Sequence, residues 1–489
     1  LSLRRVDARF LLPVPPRSAA VLGGLAEWQT GLEACGVKVQ DSVEAGTAPP
    51  DLVVVPADLA EESLLASCPM AIVEGLLPAR QAARAGRVAL HYLSLPEPSR
   101  PEVLVPLFQR NALRYALESL RPPSRVWQHA RNQAFSTVAP NLGAAWPRKR
   151  VLTVLSPQGL DPTPYPCAGL DCGAWVVLLG PPHAAGRVVF FLFTNGSTRP
   201  DRVLKFARLP GMDDLKSEVA VLGKLQALPA SRALVKDRVP RVLSVRQVDE
   251  GISGLVESAM AGVRLVDLMR ETRRQHGRLV EIVDEVGDWL IRIAEATRTE
   301  DAAIEARRRE LWRSTSRKLN GLAAVEGDLS RLSSLPGVLE HGDLWCANVV
   351  LDKGRFAVLD WSEAELPGLP IIDGAYFLAD ALFRLDASAD TPSARTQHFV
   401  RLFRGELTFS RVLGAWVTRA ATSLGIPSEA LGPLLTLGWA TMGYRGRNAN
   451  EPLAVSETYG SHNTHPVDDY LSAWMSDPQL GPRWSCLRP

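Results

Sequence analysis

Cysteine is scarce in this chain: six among 489 residues, at positions 35, 68, 167, 172, 346 and 486. No two of them form a C-x-x-C pair, and no His/Cys cluster has zinc-finger spacing, so a disulfide scaffold is not expected. Sparse thiols of this kind fit a reducing, cytoplasmic setting. An excess of one charge is also missing. Fifty-five Lys and Arg stand against 53 Asp and Glu, a formal net charge of +2, which leaves no single-sign field for binding nucleic acid. Long hydrophobic runs are absent too. The stretch 188–193 (VVFFLF) is among the longest, whereas a membrane span needs ~20 apolar residues. Arg4 and Arg5 precede Phe10-Leu11-Leu12, but Pro13, Pro15 and Pro16 interrupt that stretch, so no signal peptide is read. The sequence opens on Leu rather than Met, which leaves its true start open.

What is present fits a globular protein: 46% hydrophobic and 22% charged residues, with 37 Gly and 37 Pro supplying turns. At ~100–200 residues per domain, the length implies two or three domains.

Residues 1–150 alternate short apolar runs with helical stretches. Strands are expected at 18–22, 37–39, 51–55, 70–73 and 87–93, and helices at 25–35 and 110–120. That alternation predicts a doubly wound, Rossmann-like α/β domain. Such a domain invites a nucleotide or methyl-donor site at Gly23-Gly24, with Asp41 at ribose-binding distance. No G-x-G-x-x-G is present, however, and a structural turn is the preferred reading. Pro122-Pro123 and the stretch 140–150 read as a connector.

A different order follows. Strands are expected at 173–179, 187–194 and 202–209, then a helix over 213–225, then strands at 241–248 and 254–258. From about 265 the pattern is mostly helical. The expected divisions are 1–150, a small lobe over 151–262 and a mostly helical lobe over 263–489.

The strongest chemical signal is His341-Gly342-Asp343-Leu344-Trp345-Cys346-Ala347-Asn348. It fits the kinase catalytic-loop pattern H-x-D-x-x-x-x-N. Phosphoryl transfer needs a carboxylate to orient the attacking hydroxyl and take its proton, a role for Asp343. It also needs a nearby oxygen ligand for Mg²⁺, which Asn348 supplies. A hairpin is expected next, 349–351 with a turn at 352–354 and a return strand at 356–359 that delivers Asp360. Kinases place their principal metal-binding carboxylate after such a strand. The bland alternative is that both aspartates merely cap turns.

HGDLWCANVVLD, FAVLDWSEAE and PIIDGAYFLA together resemble the aminoglycoside phosphotransferase family, which shares the protein-kinase-like fold with choline kinases. The resemblance covers about 150–489. It implies a two-lobed α+β kinase-like domain, ATP or GTP with Mg²⁺, and a small-molecule hydroxyl acceptor. It gives His341 and Asp373 supporting roles, Asp373 as a buttress of the catalytic loop. Gly342 stands where protein kinases carry Arg, and no A-P-E segment follows Asp360. Both departures point away from control by activation-loop phosphorylation.

Lys205 lies in an apolar strand and needs a partner. Glu218 in the next helix is the expected one, making the Lys–Glu pair that holds the α- and β-phosphates in kinases. The loop 180–186 lies where kinases cover the phosphates, but Pro181 and Pro182 remove amide donors from it. His183 within it reads as an exposed residue. Val256 and Ser258 fall where an interlobe hinge would offer backbone groups to adenine. His462 and His465 read as a solvated loop, Cys346 as packing, and Arg307-Arg308-Arg309 as a solvated helix face. The alternatives to a small-molecule kinase are a non-catalytic kinase-fold scaffold and a transferase seated in residues 1–150. Acidic Glu363 and Glu365 would suit a cationic acceptor. The oligomeric state is left open.

Overall fold

Leu52–Pro56 and Met70–Glu74 are apolar along almost their whole length. Near-continuous apolar runs of this kind belong to parallel strands covered on both faces. In the computed structural model they are adjacent parallel strands, β3 and β4, beside β1 (Ser18–Val21) and β2 (Lys38–Gln40), in the order β2-β1-β3-β4. The structure describes residues 3–43, 48–120, 132, 134–137, 150–182, 186–212, 215–271, 276–300, 332, 335–386, 391–450, 467–481 and 484. His183, His462, His465 and Arg307-Arg308-Arg309 lie outside the described residues, as does most of the stretch read as a connector.

The chain divides into two compact units. One is built from Leu1–Leu215 and Val242–Ala259, the other from Lys216–Arg241, Met260–Glu451 and Ser456–Pro489.

In the first unit, the helix Ala26–Ala34 joins β1 to β2 and the helix Glu62–Ser67 joins β3 to β4. These connections run in opposite directions along the sheet. Right-handed crossovers therefore place the helices on opposite faces. Accordingly Trp28 and Leu32 pack with Ala19, Val21 and Val54 on one face. Leu65 packs with Ala20, Val53 and Val55 on the other.

Beyond β4 the sheet changes character. The strand β7 (Val151–Pro157) runs antiparallel between β4 and β5 (Arg87–Leu95). Next come β6 (Val103–Pro106), β8 (Ala174–Leu179), β9 (Arg187–Phe193), β10 (Arg202–Ala207), β12 (Ile252–Ser258) and β11 (Val242–Asp249), all antiparallel to their neighbours. The result is one mixed sheet of twelve strands. The expected doubly wound order is thus limited to four parallel strands. The division expected near residue 150 falls at the start of β7, an interior strand. Both β6 and β7 escape a local reading. The first is four residues hemmed by prolines, and the second is paired by strands far away in sequence.

A 3₁₀ turn over Val6–Leu11, buried at every position, lies on the sheet face that carries Trp28. Its Phe10 meets Phe206 edge-on at 4.8 Å.

In the second unit, β13 (Val263–Arg264), β15 (Val349–Asp352) and β16 (Arg355–Val358) form a small sheet. Lys353 (φ 51°) and Gly354 (φ 80°) close the β15–β16 hairpin, the double positive φ of a type I′ turn, whose twist suits flanking strands. β14 (Val338–Glu340) pairs with β17 (Glu365–Gly368). The helix Ile372–Asp386 is buried at every residue from Ile372 to Phe383, as a helix apolar on nearly all sides must be. Among the described residues, no helix is long and apolar enough to cross a membrane.

Candidate active site

β14 delivers the chain into the loop 341–348. Gly342 there has φ +80°, a left-handed conformation that glycine adopts without penalty. The carboxylate of Asp373, in the first turn of the helix Ile372–Asp386, accepts the backbone N–H of His341 and that of Gly342, the latter at 3.0 Å. His341 is 2% exposed. Its Nε2 bonds the Leu359 carbonyl at 2.8 Å and its Nδ1 accepts the Asp343 N–H at 3.3 Å. Those two bonds together require the neutral Nε2–H tautomer. Leu359 is held twice, because its own N–H donates to the Asn348 carbonyl at 2.8 Å. The residue that follows, exposed Asp360, takes φ +58°. A single imidazole thus ties the segment carrying Asp343 to the segment carrying Asp360. The Trp361 ring packs on that imidazole at 4.7 Å, and its Nε1 donates to the Val358 carbonyl at 3.1 Å.

Asn348 Nδ2 donates to the Asp343 carbonyl at 2.8 Å and to Asp343 Oδ2 at 3.1 Å. Both amide hydrogens are thereby used, and Oδ1 is left as the acceptor on that side chain. Burial pushes the Asp343 carboxyl well above the usual carboxylate range. The charge of Asp360 raises it further, with smaller contributions from Glu363 and Asp373, while the Asn348 hydrogen bond opposes the rise. Concentrated negative charge of this kind is relieved by a cation, and the donors are all hard oxygens. Among the described residues no three His, Cys, Asp or Glu side chains are grouped tightly enough to hold a metal alone.

Two further residues support the loop from below, and sequence reasoning missed both. Asp380 accepts the Cys346 N–H at 3.1 Å and pairs with Arg384 Nε at 2.9 Å. Burial would raise the Asp380 carboxyl, but Arg384 and the Cys346 bonds hold it below its ordinary value. Positions 373, 380 and 384 share one helix face by their spacing, a signal present in the sequence. Cys346 itself is buried, and burial pushes its thiol well up, which leaves it unreactive.

Replacing Asp373 with Ala orphans two buried amides and should cost about 1–3 kcal/mol for each. Thermal unfolding checks this. Asp373→Asn, which keeps one acceptor oxygen, should lose less. Equal stability of both variants and the parent would show that this carboxylate does not hold the loop.

Lys205, Val256 and Ser258 belong to the first unit. Lys205 sits on β10 with its Nζ 2.9 Å from Glu257 Oε1 on β12, both side chains under a tenth exposed. Glu257 pairs in register with Val203, so it lies diagonally from Lys205 on the same sheet face. Glu257 is a partner that sequence reasoning did not single out; a charged residue inside an apolar strand was the available signal. Glu218 is fully buried on the helix Leu215–Ala227, in the second unit. Val256 is 2% exposed in the sheet core, between β10 and β11. Ser258 ends β12, and the next amide, Ala259 N–H, donates to the Asp201 carbonyl at 2.9 Å.

The turn at Gly23-Gly24 is packed by the chain itself. A Cβ on Gly23 would lie 2.7 Å from the Pro56 ring. Glu74, at the end of β4, takes a two-pronged contact from Arg5 and a 2.6 Å bond from Trp28 Nε1. Asp41 bonds Gln29 Nε2 at 2.9 Å on the exposed surface.

Residues 182–406 match the model of the phosphotransferase enzyme family. Among solved structures, an aminoglycoside phosphotransferase APH(4)-Ia in ternary complex with AMP-PNP and hygromycin B is similar at 16% identity, covering 63% of this chain and 93% of that one, with a TM-score of 0.37. APH(3'')-Id from Streptomyces rimosus is similar at 17% identity, over 56% of this chain and 93% of that one, TM-score 0.34. The GDP and kanamycin complex of APH(2")-IIia is similar at 12% identity, over 58% and 86%, TM-score 0.32. The comparison with curated proteins returned no match.

Proposed function

We propose, from the match of residues 182–406 to the phosphotransferase enzyme family, that the chain is a kinase transferring the γ-phosphoryl group of ATP or GTP to a hydroxyl of a small molecule. The observation that carries the proposal is the held pair of Asp343 and Asn348, with His341 bridging to the residue before Asp360. In this reading Asp343 orients the acceptor hydroxyl and takes its proton as the oxygen bonds to the γ-phosphorus. The bond from that phosphorus to the bridging oxygen breaks, and the nucleoside diphosphate leaves. Asn348 and Asp360 would hold Mg²⁺, which would neutralise charge developing on the transferred phosphoryl group. Lys205, paired with Glu257 in the sheet, would grip the α- and β-phosphates. The backbone at Ser258, where β12 ends, would face adenine. Catalysis would come from positioning and charge neutralisation. Glu363, whose charge reaches Asp343, favours a cationic acceptor, as an aminoglycoside is.

The test is an ADP-release screen over hydroxyl acceptors, paired with thermal shift in ATP with and without Mg²⁺. Metal-dependent stabilisation, about 2.7 kcal/mol at a hundred times Kd, together with acceptor-dependent ADP release, is expected. Absence of both would favour a kinase-fold scaffold.

A further inference from the structure

The loop joining β8 to β9 begins with three carbonyls in a row, and each accepts a hydrogen bond. The Gly180 carbonyl takes Arg4 Nε at 2.6 Å. The Pro181 carbonyl takes Arg208 Nη1 at 2.7 Å. The Pro182 carbonyl takes the Leu3 N–H at 3.1 Å. Two of these donors belong to the segment 3–12. The third, Arg208, is gripped by the same segment: its Nε lies 2.9 and 2.7 Å from the two Asp7 oxygens, and its carbonyl accepts Arg9 Nη2 at 2.7 Å. Asp7 and Arg208 are both 0% exposed and Arg9 is 3% exposed. Arg4 also reaches Glu102 at 3.6 Å, and the Glu102 carbonyl accepts the Leu179 N–H at 2.8 Å.

This is an unusual way to treat a loop in that position. Pro181 and Pro182 have fixed φ and no N–H, so they cannot supply the amide cradle of a glycine-rich phosphate loop. The Pro182 carbonyl is held instead by the Leu3 N–H, and the Pro181 carbonyl by Arg208, which Asp7 grips. Backbone held in place before a ligand arrives does not pay the ordering cost on binding.

We propose that segment 3–12 is a built-in brace that fixes residues 180–182 and thereby positions the nucleotide triphosphate, with Arg4 and Arg208 as positioning residues. The proposal rests on the kinase reading of the domain. It also gives segment 3–12, which precedes the matched domain, a task in nucleotide binding, since the brace lies on the core face shared by Trp28 and Phe206.

The experiment uses the full chain and ATP with Mg²⁺ as the probe. Arg4→Ala removes one clamp at a partly exposed position. Arg208→Lys keeps the charge facing Asp7 and shortens the reach to Pro181. Nucleotide affinity is read by calorimetry, and hydrogen exchange is read on peptides spanning 178–190. Loss of one such bond should weaken ATP binding roughly 3–10-fold and speed exchange in that peptide. The melting temperature of Arg4→Ala should move by only a few degrees, and Arg4→Lys should restore part of the affinity. Unchanged exchange in Arg4→Ala and Arg208→Lys overturns the brace, whatever happens to affinity. Faster exchange with unchanged affinity overturns its role toward nucleotide. Parent protein that binds no ATP overturns the kinase reading itself, a failure visible without any substitution.

Discussion

Asp343→Asn is expected to lower phosphoryl transfer about 10²–10⁴-fold, the usual contribution of a positioned general base, while leaving ATP affinity within a few-fold. The reason lies in what Asp343 touches. Its carboxylate is held by Asn348 Nδ2 and is raised by burial and by the Asp360 charge. A carboxyl raised on folding is disfavoured in its ionised form. The cost it imposes on the folded state appears as pH rises from the ordinary carboxylate value through the raised one, and it is fully present above that window. At neutral pH, removing the charge should therefore not lower the melting temperature, so lost turnover cannot be ascribed to unfolding. The measurement is steady-state ADP release with the acceptor found by screening, alongside calorimetry with ATP and Mg²⁺. Turnover within tenfold of the parent would remove Asp343 from the chemistry.

Asp7→Ala should give the largest loss of stability. The side chains of Asp7 and Arg208 are both wholly buried, and Arg9 lies 3.6 Å from the same carboxylate. Removing the carboxylate strands two guanidinium groups inside the first unit. Breaking a buried pair in this way costs about 3–5 kcal/mol, which for a unit of this size corresponds to a fall in melting temperature of roughly 6–20 °C. Replacing both partners, as in Asp7→Ala with Arg208→Met, should recover much of that loss, because the stranded charge at position 208 goes too. Differential scanning calorimetry of the full chain checks both variants. A shift below about 2 °C for Asp7→Ala would mean that solvent reaches Arg208 after the substitution and that the cluster is not a closed one.

The reach of sequence reasoning differs from one residue to the next. Asp343 and Asn348 stand five positions apart in one loop, and Asp360 follows a hairpin whose turn, Lys353-Gly354, is written in local backbone preferences. A constellation confined to so short a stretch is legible as a candidate site because the chain itself enforces proximity. Lys205 was also legible as a charge needing a partner, yet the carboxylate beside it in the sheet, Glu257, is 52 positions away and is set by the register of β10 against β12. Asp380 and Arg384 share a helix face with Asp373 in the sequence, but only the contact with the Cys346 amide shows that this face meets the loop. The first 150 residues show the same contrast. The four parallel strands were read from their apolar runs, whereas β6 and β7, which carry the sheet onward to β8, were not.

By itself, then, the sequence marked the residues on which the proposed phosphoryl transfer rests, because they lie within one loop and one hairpin, with Asp373 a short way beyond. Only the tertiary structure decided that the early strands and the Lys205 strand share one sheet of twelve, and that residues 3–12 hold the 180–182 carbonyls. Those features depend on strand register and on burial that joins Asp7 to Arg208, 201 positions apart, and no local preference of the backbone records a contact at that range.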